Sequence, residues 1–282
     1  MDIKIFTCYH KNFETPQSDI IFPIHVGKEK SNSDLGFQGD NTKDNISAKN
    51  PYYCELTATY WIWKNIKADI VGLFHYRRFL NLKTRDTKTN NIHQNFCNEY
   101  GLTSKNIQNL LNKYDILLPK PLPKRTKNSL TVYENYKEKH IISDLDCVID
   151  VISQKYPLMS NMVQKILKQE KQMYPTNILI CKKELFDEYS EWLFSILFEV
   201  EKRIHSQVLT RNSYQQRVYG FLSERMMNIF ISYKISTTNI KVGEFPTLYI
   251  ETDDGINEYI ATEYEYEYFN EPMKRLDLLN RT

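Results

Sequence analysis

The stretch IVGLFHYRRFL, residues 70–80, decides the fold of this chain. It begins with four apolar residues around one glycine, which predicts a strand that is buried on both faces of a sheet. Four polar residues follow the strand without a spacer: His75, Tyr76, Arg77 and Arg78. Ligands of open α/β sheets bind beyond the carboxyl ends of the strands. The stretch therefore predicts a central strand that ends at a ligand-binding edge.

Further strands and helices alternate along the chain on either side of this stretch. Short apolar runs predict strands at residues 3–10, 20–27, 69–74, 115–121 and 176–183. Longer segments with helical periodicity or helix-start signals occupy residues 51–66, 103–114, 143–156, 183–204 and 214–235. Helix 143–156 is expected to begin with Ser143 as its N-cap, followed by an acidic first turn. The alternation predicts an α/β fold, a mainly parallel sheet flanked by helices.

The composition is that of a globular protein with one large domain. The chain has 282 residues, 41% of them hydrophobic, and its formal net charge is +2. A charge so close to zero gives no field that would attract nucleic acid. The five cysteines lack a CxxC or Cys/His spacing, which favours a reducing compartment over a disulfide framework or a zinc site. Because no signal-peptide pattern and no apolar run of about 18 residues is present, we expect a cytoplasmic protein that does not cross the membrane.

Two polar segments lie between the predicted elements. Residues 28–50 are rich in Asn, Asp, Ser and Gly, and a loop of this length is usually functional or disordered. Residues 119–128 carry three prolines and four cations. The cations are Lys120, Lys124, Arg125 and Lys127. They predict either a contact with an anionic membrane surface or a solvated loop.

The chain divides at residue 235 into two unequal parts. Residues 1–235 contain all the predicted helices and strands and form the expected main domain. Residues 236–282 form a C-terminal extension that is acidic and tyrosine-rich from residue 251 onward. We expect this extension to pack on the same domain.

Arg77 and Arg78 admit two interpretations. Consecutive charges usually face solvent and pair with acidic neighbours. Here the two arginines follow a buried strand, at the place where a sheet holds its ligand-binding groups. Guanidinium groups also match the geometry of a phosphate or diphosphate. We therefore expect the pair to bind a phosphorylated ligand, whereas His75 is equally suited to a structural hydrogen bond and to catalysis.

The predicted helix 51–66 combines a buried aromatic face with one carboxylate. Trp61 and Trp63 are expected to belong to the core, because aromatic side chains at helical spacing mostly pack. Glu55 stands in an apolar stretch, where a carboxylate needs a partner or a ligand. The preceding polar loop brings three more polar side chains to the start of this helix: Asp44, Asn45 and Lys49.

The predicted helix 214–235 carries Glu224 and Arg225 within an apolar stripe. Arg217 lies seven residues before Glu224, on roughly the same face of such a helix. One interpretation is a structural ion pair. The other is a carboxylate held in a cleft as a general base, with Arg217 or Arg225 setting its charge.

Common cofactor and metal signatures are missing from the sequence. It contains no GxGxxG, GxxxxGK(S/T), HExxH or GxSxG motif. The acidic pairs Asp144/Asp146 and Asp253/Asp254 are weak metal candidates, because neither pair follows a predicted strand. Asp144 and Asp146 fit better in the acidic first turn of helix 143–156.

Four segments together resemble the bacterial family called domain of unknown function 4422 (DUF4422). They are NISAKNPYYCELTATYWIWKN (45–65), VGLFHYRRFL (71–80), WLFSILFEVEKRI (192–204) and QQRVYGFLSERMMNIFI (215–231). The resemblance extends in order over residues 3–235. Members of the family are taken to be glycosyltransferases of capsule, exopolysaccharide or lipopolysaccharide gene clusters.

The resemblance implies a single Rossmann-type domain of the glycosyltransferase-A type, which would transfer a hexose from a nucleotide sugar, with a UDP-sugar expected. The acceptor would be a hydroxyl of a surface polysaccharide or of its lipid-linked precursor. The enzyme would reach this acceptor from the cytoplasm, with peripheral contact at the inner membrane. Two alternatives stay open: a non-catalytic carbohydrate- or nucleotide-binding component of polysaccharide assembly, and a transferase of another phosphate-activated group onto glycans.

Many glycosyltransferase-A enzymes have an Asp-x-Asp after the corresponding strand, where it holds a divalent metal on the donor diphosphate. In this chain the sequence HYRR stands there instead. The analogy implies that Arg77 and Arg78 neutralise the diphosphate without an obligatory metal. If manganese or magnesium were needed, the ligands would be His75 with Asp144 or Asp146.

The same analogy assigns the remaining site residues. Glu224 would be the catalytic base, with His75 as a further catalytic candidate. Besides the two arginines, the donor would contact Thr7, Tyr9, His10, Asp44, Asn45, Lys49 and Glu55. Loop 28–50 would close over the donor as a lid. The sugar and the acceptor would contact Tyr76, Asn177 and Arg225.

Overall fold

The computed structural model describes residues 1–121 and 130–251. Its strands are β1 (Ile3–Tyr9), β2 (Ile21–His25), β3 (Gln38–Gly39), β4 (Ile70–His75), β5 (Arg78–Leu80), β6 (Lys88–Thr89), β7 (Ile116–Pro119), β8 (Leu179–Lys182), β9 (Val242–Phe245) and β10 (Thr247–Ile250). Its helices are α1 (Asn50–Tyr53), α2 (Leu56–Asn65), α3 (Phe96–Glu99), α4 (Ser104–Leu111), α5 (Val132–Lys139), α6 (Ile142–Lys155), α7 (Ser160–Lys168), α8 (Lys183–Val208), α9 (Ser213–Gln216) and α10 (Val218–Thr238). Short 3-10 turns cover Lys28–Lys30, Ser47–Lys49 and Pro157–Met159.

The strands form one branched, mainly parallel sheet. Strand β4 pairs in parallel with β1, and β2 and β3 continue the parallel order on that side. On its other side β4 pairs antiparallel with β8, which leads to β7 and then to β9. A second branch leaves the end of β4, where the pairing of His75 with Arg78 leads through β5 to β10 and β6. The predicted α/β fold with a mainly parallel sheet is confirmed.

Alternating side chains of β4 enter two separate cores. Val71 and Leu73 belong to a core that includes residues of α2, α8 and α10. Ile70 and Phe74 belong to a second core, which includes residues of α4. Successive side chains of a strand point to opposite faces, so β4 is covered on both of them. The burial predicted from its continuous apolar run is confirmed.

Gly72 lets β4 lie close to both of its neighbours. A Cβ atom at this position would lie 2.9 Å from the backbone oxygen of Leu179 and 3.2 Å from the side chain of Ile5. A larger residue would therefore push β4 away from β8 and from β1. The close approach of β4 to β1 and β8 therefore requires glycine at position 72.

The predicted helix 51–66 is interrupted in the structure. Helix α1 ends before Cys54, whose φ of 51° lies in the left-handed region, and α2 begins at Leu56. A non-glycine residue in that region is strained by about 1–3 kcal/mol, so the surrounding packing must hold it there. Gly220 of α10 permits this packing, since a Cβ atom at Gly220 would lie 3.2 Å from Sγ of Cys54. The interruption places Glu55 at the junction of the two helices.

Other predicted elements differ from the structure at their ends. Helix α6 begins at Ile142, so the predicted Ser143 cap is wrong, although Asp144 does lie in its first turn. The predicted helix 214–235 is two helices, because Arg217 separates α9 from α10. The strand predicted at residues 176–183 begins only at Leu179 and is antiparallel to β4. Neither α5 nor α7 is among the predicted helices.

The polar loop 28–50 packs around a buried carboxylate. Asp40 is fully buried and accepts hydrogen bonds from the backbone N–H groups of Gly27 at 2.9 Å and Lys28 at 3.2 Å. The Ser47 hydroxyl donates a third, short hydrogen bond to Asp40. These bonds fold the loop back onto the end of β2. Its closure over a ligand stays a prediction.

The domain boundary predicted at residue 235 falls within α10. Strands β9 and β10 follow this helix and join the same sheet as the earlier strands. Residues 122–129 and 252–282 lie outside the described part of the chain. These ranges contain Lys124, Arg125, Lys127, Asp253 and Asp254. None of the described helices is both long enough and apolar enough to cross a membrane.

A buried ion pair joins α6 to the turn after α8. Arg211 donates two hydrogen bonds to Asp144, from Nη1 at 2.7 Å and from Nη2 at 2.8 Å. The two side chains are only 8% and 2% exposed. Removing one partner of such a pair leaves an uncompensated buried charge, which costs far more than the loss of an exposed pair.

We expect Asp144→Ala to lower the free energy of unfolding by about 3–5 kcal/mol, because Arg211 would stay buried without its counter-charge. Urea denaturation followed by circular dichroism measures the loss. The matched control is Glu199→Ala, which removes the partner of Arg203 from a more exposed pair on α8 and should cost less than about 1 kcal/mol. Equal losses in the two variants would contradict a stabilising role for the buried pair.

Candidate active site

The carboxyl ends of β1 and β4 lie side by side, because the strands are parallel and Cys8 stands opposite His75. The backbone N–H of Tyr76 donates to the carbonyl of Cys8 at 3.1 Å. The rings of Tyr76 and His10 are in contact, with centroids 5.2 Å apart. The edge predicted beyond β4 therefore carries side chains from the ends of both strands.

His75 ends β4 and contacts two charged side chains. Its Nδ1 lies 3.4 Å from Nη1 of Arg78, and its Nε2 lies 3.9 Å from Oε1 of Glu55. Nε2 makes no hydrogen bond within the described residues. Burial lowers the pKa of His75 to about 4, against the opposing effect of the Glu55 charge. The imidazole is therefore neutral at pH 7, and Arg78 supplies the positive charge at this point.

Glu55 begins a hydrogen-bonded chain that crosses the site. Its Oε1 accepts from Nδ2 of Asn177 at 2.6 Å, and Oδ1 of Asn177 accepts from the Ser223 hydroxyl at 3.1 Å. The three residues come from the α1–α2 junction, the segment before β8 and helix α10. The prediction that Glu55 needs a partner is confirmed. Both ends of the Asn177 amide are engaged by the protein, and its contact with a sugar stays a prediction.

Arg217, between α9 and α10, reaches the same region. Its Nε donates to Sγ of Cys54 at 3.2 Å. Burial raises the pKa of Cys54 to about 11, so the thiol is neutral at pH 7. Burial lowers the pKa of His10 and of His75, and the charge of Arg217 adds to both effects. The seven-residue spacing between Arg217 and Glu224 gave no indication of these neighbours.

Glu224 pairs with its neighbour in sequence rather than with Arg217. Its Oε2 accepts from Nη1 of Arg225 at 2.8 Å. The Glu224 side chain is 26% exposed, whereas that of Arg225 is 5% exposed. Burial raises the pKa of Glu224, and the charge of Arg225 opposes the rise. Glu224 is thus a recessed carboxylate that one guanidinium holds and that solvent still reaches.

The charged groups around Glu224 form one cluster. The charges of Glu55, Arg78 and Arg217 all act on the pKa of Glu224, after burial and Arg225. We call these five residues, Glu55, Arg78, Arg217, Glu224 and Arg225, the charged cluster. They come from segments far apart in sequence, and the sheet edge brings them together.

The arginines of the charged cluster differ in their partners. Arg225 is paired with the Glu224 carboxylate. In the described structure, Arg78 and Arg217 instead contact neutral groups, the imidazole of His75 and the thiol of Cys54. Neither guanidinium has a carboxylate within ion-pairing distance among the described residues. Each keeps a positive charge that the described part of the chain balances only at longer range.

Arg77 lies beside the charged cluster and points to a different neighbour. Its guanidinium lies 5.1 Å from the ring centroid of Tyr76. Its backbone carbonyl accepts from the N–H of Ile250 at 3.0 Å, which attaches it to β10. The two arginines that the sequence presents as a pair therefore diverge, with Arg78 against His75 and Arg77 against Tyr76.

Two residues assigned to the donor from β1 are less accessible than expected. Thr7 and Tyr9 lie within β1, and both are fully buried. The Tyr9 hydroxyl donates to the carbonyl of Glu14 at 3.1 Å. His10, in contrast, is exposed at the sheet edge. Of the three, His10 is the one placed to meet a ligand.

The polar residues of loop 28–50 attach the loop to helices rather than to the charged cluster. Asp44 accepts from the Tyr60 hydroxyl at 3.1 Å. Lys49 pairs with Glu201 of α8 at 2.7 Å. Asn45 accepts through its side chain from the backbone of the nearby 3-10 turn. The structure therefore does not bring Asp44, Asn45 and Lys49 to the site as it stands.

Asp144 and Asp146, the metal ligands considered together with His75, have other partners in the structure. Asp144 is engaged by Arg211, so it is not placed to bind a metal together with His75. Asp146 accepts from the Tyr133 hydroxyl at 2.8 Å. Within residues 1–121 and 130–251, no group of three or more His, Cys, Asp and Glu side chains could hold a metal ion. The expectation that no metal is obligatory stays a prediction.

The charged cluster combines two chemical capacities. Guanidinium groups bind phosphate oxygens through charge-assisted hydrogen bonds. A recessed carboxylate of raised pKa can take a proton from a hydroxyl group. Both kinds of group lie at the carboxyl edge of the sheet, where α/β proteins bind their ligands.

Among solved structures, the chain matches an apo structure of the bifunctional glycosyltransferase WbbM, with a TM-score of 0.83 and 36% sequence identity. The match covers 89% of this chain and 46% of that chain, so this chain spans about half the length of its structural relative. No curated protein matches the chain.

A family model also matches most of the chain. It is the model described as a domain of unknown function, DUF4422, and it matches residues 4–235. This range contains all five residues of the charged cluster and the β1 and β4 strand ends. The resemblance carried by the four sequence segments is confirmed: the chain belongs to the DUF4422 family.

Proposed function

We propose that the chain is a glycosyltransferase that moves a hexose from a nucleotide sugar to a hydroxyl of a bacterial surface polysaccharide or of its lipid-linked precursor. The donor that we propose is a UDP-hexose. Within residues 1–121 and 130–251, Arg78 and Arg217 contact only neutral groups beside a recessed carboxylate, and this observation carries the proposal. The match in fold and sequence to a bifunctional glycosyltransferase supports it.

The donor diphosphate would bind at Arg78 and Arg217, with Arg77 next to them. These positive charges would attract the phosphate oxygens. They would also stabilise the negative charge that develops on the leaving diphosphate, because they are held in place before the reaction. Two fixed guanidiniums make a divalent metal dispensable in the reaction that we propose.

Glu224 is the base in this proposal. The acceptor hydroxyl attacks the anomeric carbon, the bond from that carbon to the diphosphate oxygen breaks, and the hydroxyl proton passes to Glu224. Burial raises the pKa of Glu224, which strengthens it as a proton acceptor, and Arg225 holds the carboxylate in position. The hydrogen-bonded chain from Ser223 through Asn177 to Glu55 joins α10 to the segment before β8 and to the α1–α2 junction. This mechanism inverts the configuration at the anomeric carbon.

Calorimetric titration with UDP-, GDP-, CMP- and TDP-linked sugars tests the donor class. We expect at least one of them, a UDP-hexose first, to bind much more tightly than the free hexose, because only the nucleotide sugar carries charges for the arginines. Absence of binding for all four classes would remove the proposal. Binding without transfer to any glycan would favour the alternative, a non-catalytic binding component.

Arg78→Gln and, separately, Arg77→Gln should weaken donor binding. Loss of one hydrogen bond to a charged group costs about 1.5–3 kcal/mol, which is roughly 10–150-fold in Kd. The matched control is Arg203→Gln on α8, where the guanidinium pairs with Glu199. Its Kd should equal that of the wild type. A wild-type Kd in Arg78→Gln would contradict a direct contact with the donor.

An activity assay in the presence of EDTA tests whether the transfer needs a divalent metal. Transfer should persist in EDTA if the arginines neutralise the diphosphate. Loss of activity in EDTA and its recovery with manganese would show that a metal takes this part, and the arginines would then serve binding alone.

Glu224→Gln should lower turnover by about 10²–10⁴-fold, the usual contribution of a positioned general base. The amide keeps the size of the side chain and loses its proton-accepting site, so the Kd of the donor should change little. Initial rates at saturating donor, together with calorimetry, separate the two quantities.

The control for this substitution is Glu188→Gln, which removes an exposed carboxylate paired with Lys234 on the surface. It should leave turnover unchanged. Near-normal turnover in Glu224→Gln, or loss of the fold, would assign Glu224 to a structural ion pair with Arg225. His75 and Glu55 would then be the next candidates for the base.

A further inference from the structure

Three aromatic rings form an open surface beside the charged cluster. The rings of His140 and Phe221 are stacked, with centroids 4.1 Å apart and an interplanar angle of 25°. Tyr214 extends the stack, with its centroid 5.9 Å from that of His140 and 5.1 Å from that of Phe221. We call His140, Tyr214 and Phe221 the aromatic shelf.

The aromatic shelf is accessible from solvent. Tyr214 is 44% exposed, and it is the one aromatic residue among the strongly exposed large apolar side chains of residues 1–121 and 130–251. Phe221 and His140 are half-buried. The other aromatic rings of the described chain are mostly packed in the two cores. The exposed ring of Tyr214 therefore leaves one side of the aromatic shelf open to solvent.

The shelf carries no charge at neutral pH. Burial lowers the pKa of His140 to about 4, and the charge of Arg225 adds to this effect. The imidazole is then a neutral ring, like its two neighbours. A ligand that lies on the shelf meets aromatic faces.

The charged cluster borders the shelf along α10. Phe221 and Glu224 lie on one side of this helix, three residues and about 4.5 Å of helical rise apart. The guanidinium of Arg217 lies 5.5 Å from the ring centroid of Phe221. Nη1 of Arg225 donates to the Phe221 carbonyl at 3.2 Å. A molecule seated on the shelf therefore has the proposed base at one end.

We infer that the aromatic shelf binds a pyranose ring of the glycan that accepts the transferred sugar. A pyranose has a face of C–H groups, whose hydrogens are attracted by the negative face of an aromatic ring. Its hydroxyl groups at the rim meet Glu224 and Arg217, the few polar groups that fix orientation in a largely apolar site. The inference rests on the proposed function, because it names the acceptor side of the same reaction.

A purely structural role for the rings makes a different prediction. Helix α9 is already joined to the end of α5, because Nε2 of Gln215 donates to the carbonyl of Lys139 at 2.9 Å. Tyr214 is the outer ring of the stack, so its loss should leave this connection in place. If the shelf only packs helices, truncation of Tyr214 should change thermal stability and leave sugar binding unaltered.

Saturation-transfer difference NMR with a panel of methyl hexopyranosides, recorded without any donor, tests the inference. The wild type should bind at least one of them. Tyr214→Ala should raise the Kd of that glycoside about tenfold, whereas Tyr214→Phe should keep the wild-type Kd because the ring is retained. The matched control is Leu158→Ala, which removes an exposed apolar side chain from the turn Pro157–Met159 and should also keep it.

Thermal unfolding of each variant shows that the fold is intact. If Tyr214→Ala does not fold, the Kd of the glycoside is measured with Tyr214→Leu instead, since this variant keeps apolar bulk and removes the ring. Failure of every methyl glycoside to bind, or an equal Kd in the wild type and in the variants without the ring, would overturn the inference. Glycoside binding needs no donor. If methyl glycosides bind to the shelf but no nucleotide sugar binds, only the transferase proposal is contradicted. If a nucleotide sugar binds but no methyl glycoside does, only the inference about the aromatic shelf is contradicted.

Discussion

Strand β4 is hydrogen-bonded on both sides, to β1 and to β8, and it is covered by a core on each face. These contacts fix the position of the strand and therefore also the position of the residue at its end. His75 is therefore fixed opposite Cys8, and Arg78 returns beside it through the short pairing with β5. Gly72 belongs to the same constraint, because any side chain there would separate β4 from its neighbours. The candidate site is thus built on a strand end that the sheet restrains.

The charge distribution around this strand end favours an anionic ligand. The two carboxylates of the charged cluster are held by Asn177 and by Arg225. Arg78 and Arg217 are left against an imidazole and a thiol that are both neutral at pH 7. Burial keeps these two partners uncharged, so they cannot satisfy the guanidiniums as a carboxylate would. The diphosphate that we propose as ligand would supply the negative charge that the described residues do not place there.

The central strand and the polar side chains at its end could be predicted because both are encoded locally, in one apolar run followed at once by polar residues. The need of Glu55 for a partner could be predicted as well, from the cost of a carboxylate in an apolar stretch. Asn177 as that partner could not, because it comes from a distant segment. The interruption at Cys54 likewise depends on Gly220 of α10, and no local pattern indicates a positive φ at a cysteine. The contact of Arg217 with Cys54 could not be predicted from periodicity either, because the pattern over residues 214–235 predicts one continuous helix.

The hydrogen bonds that Asn177 makes with Glu55 and Ser223 also determine when the site can form during folding. They join residues that are 122 and 46 positions apart. Contacts of such separation require large loops to close, which is slow and entropically costly. Glu224 and Arg225 can pair within α10 alone, but Glu55, Arg78 and Arg217 join them only when distant segments have packed together. During synthesis, a nascent chain therefore lacks the complete charged cluster until α10 has left the ribosome and packed against the sheet, and β9 and β10, which follow α10, complete the sheet after that.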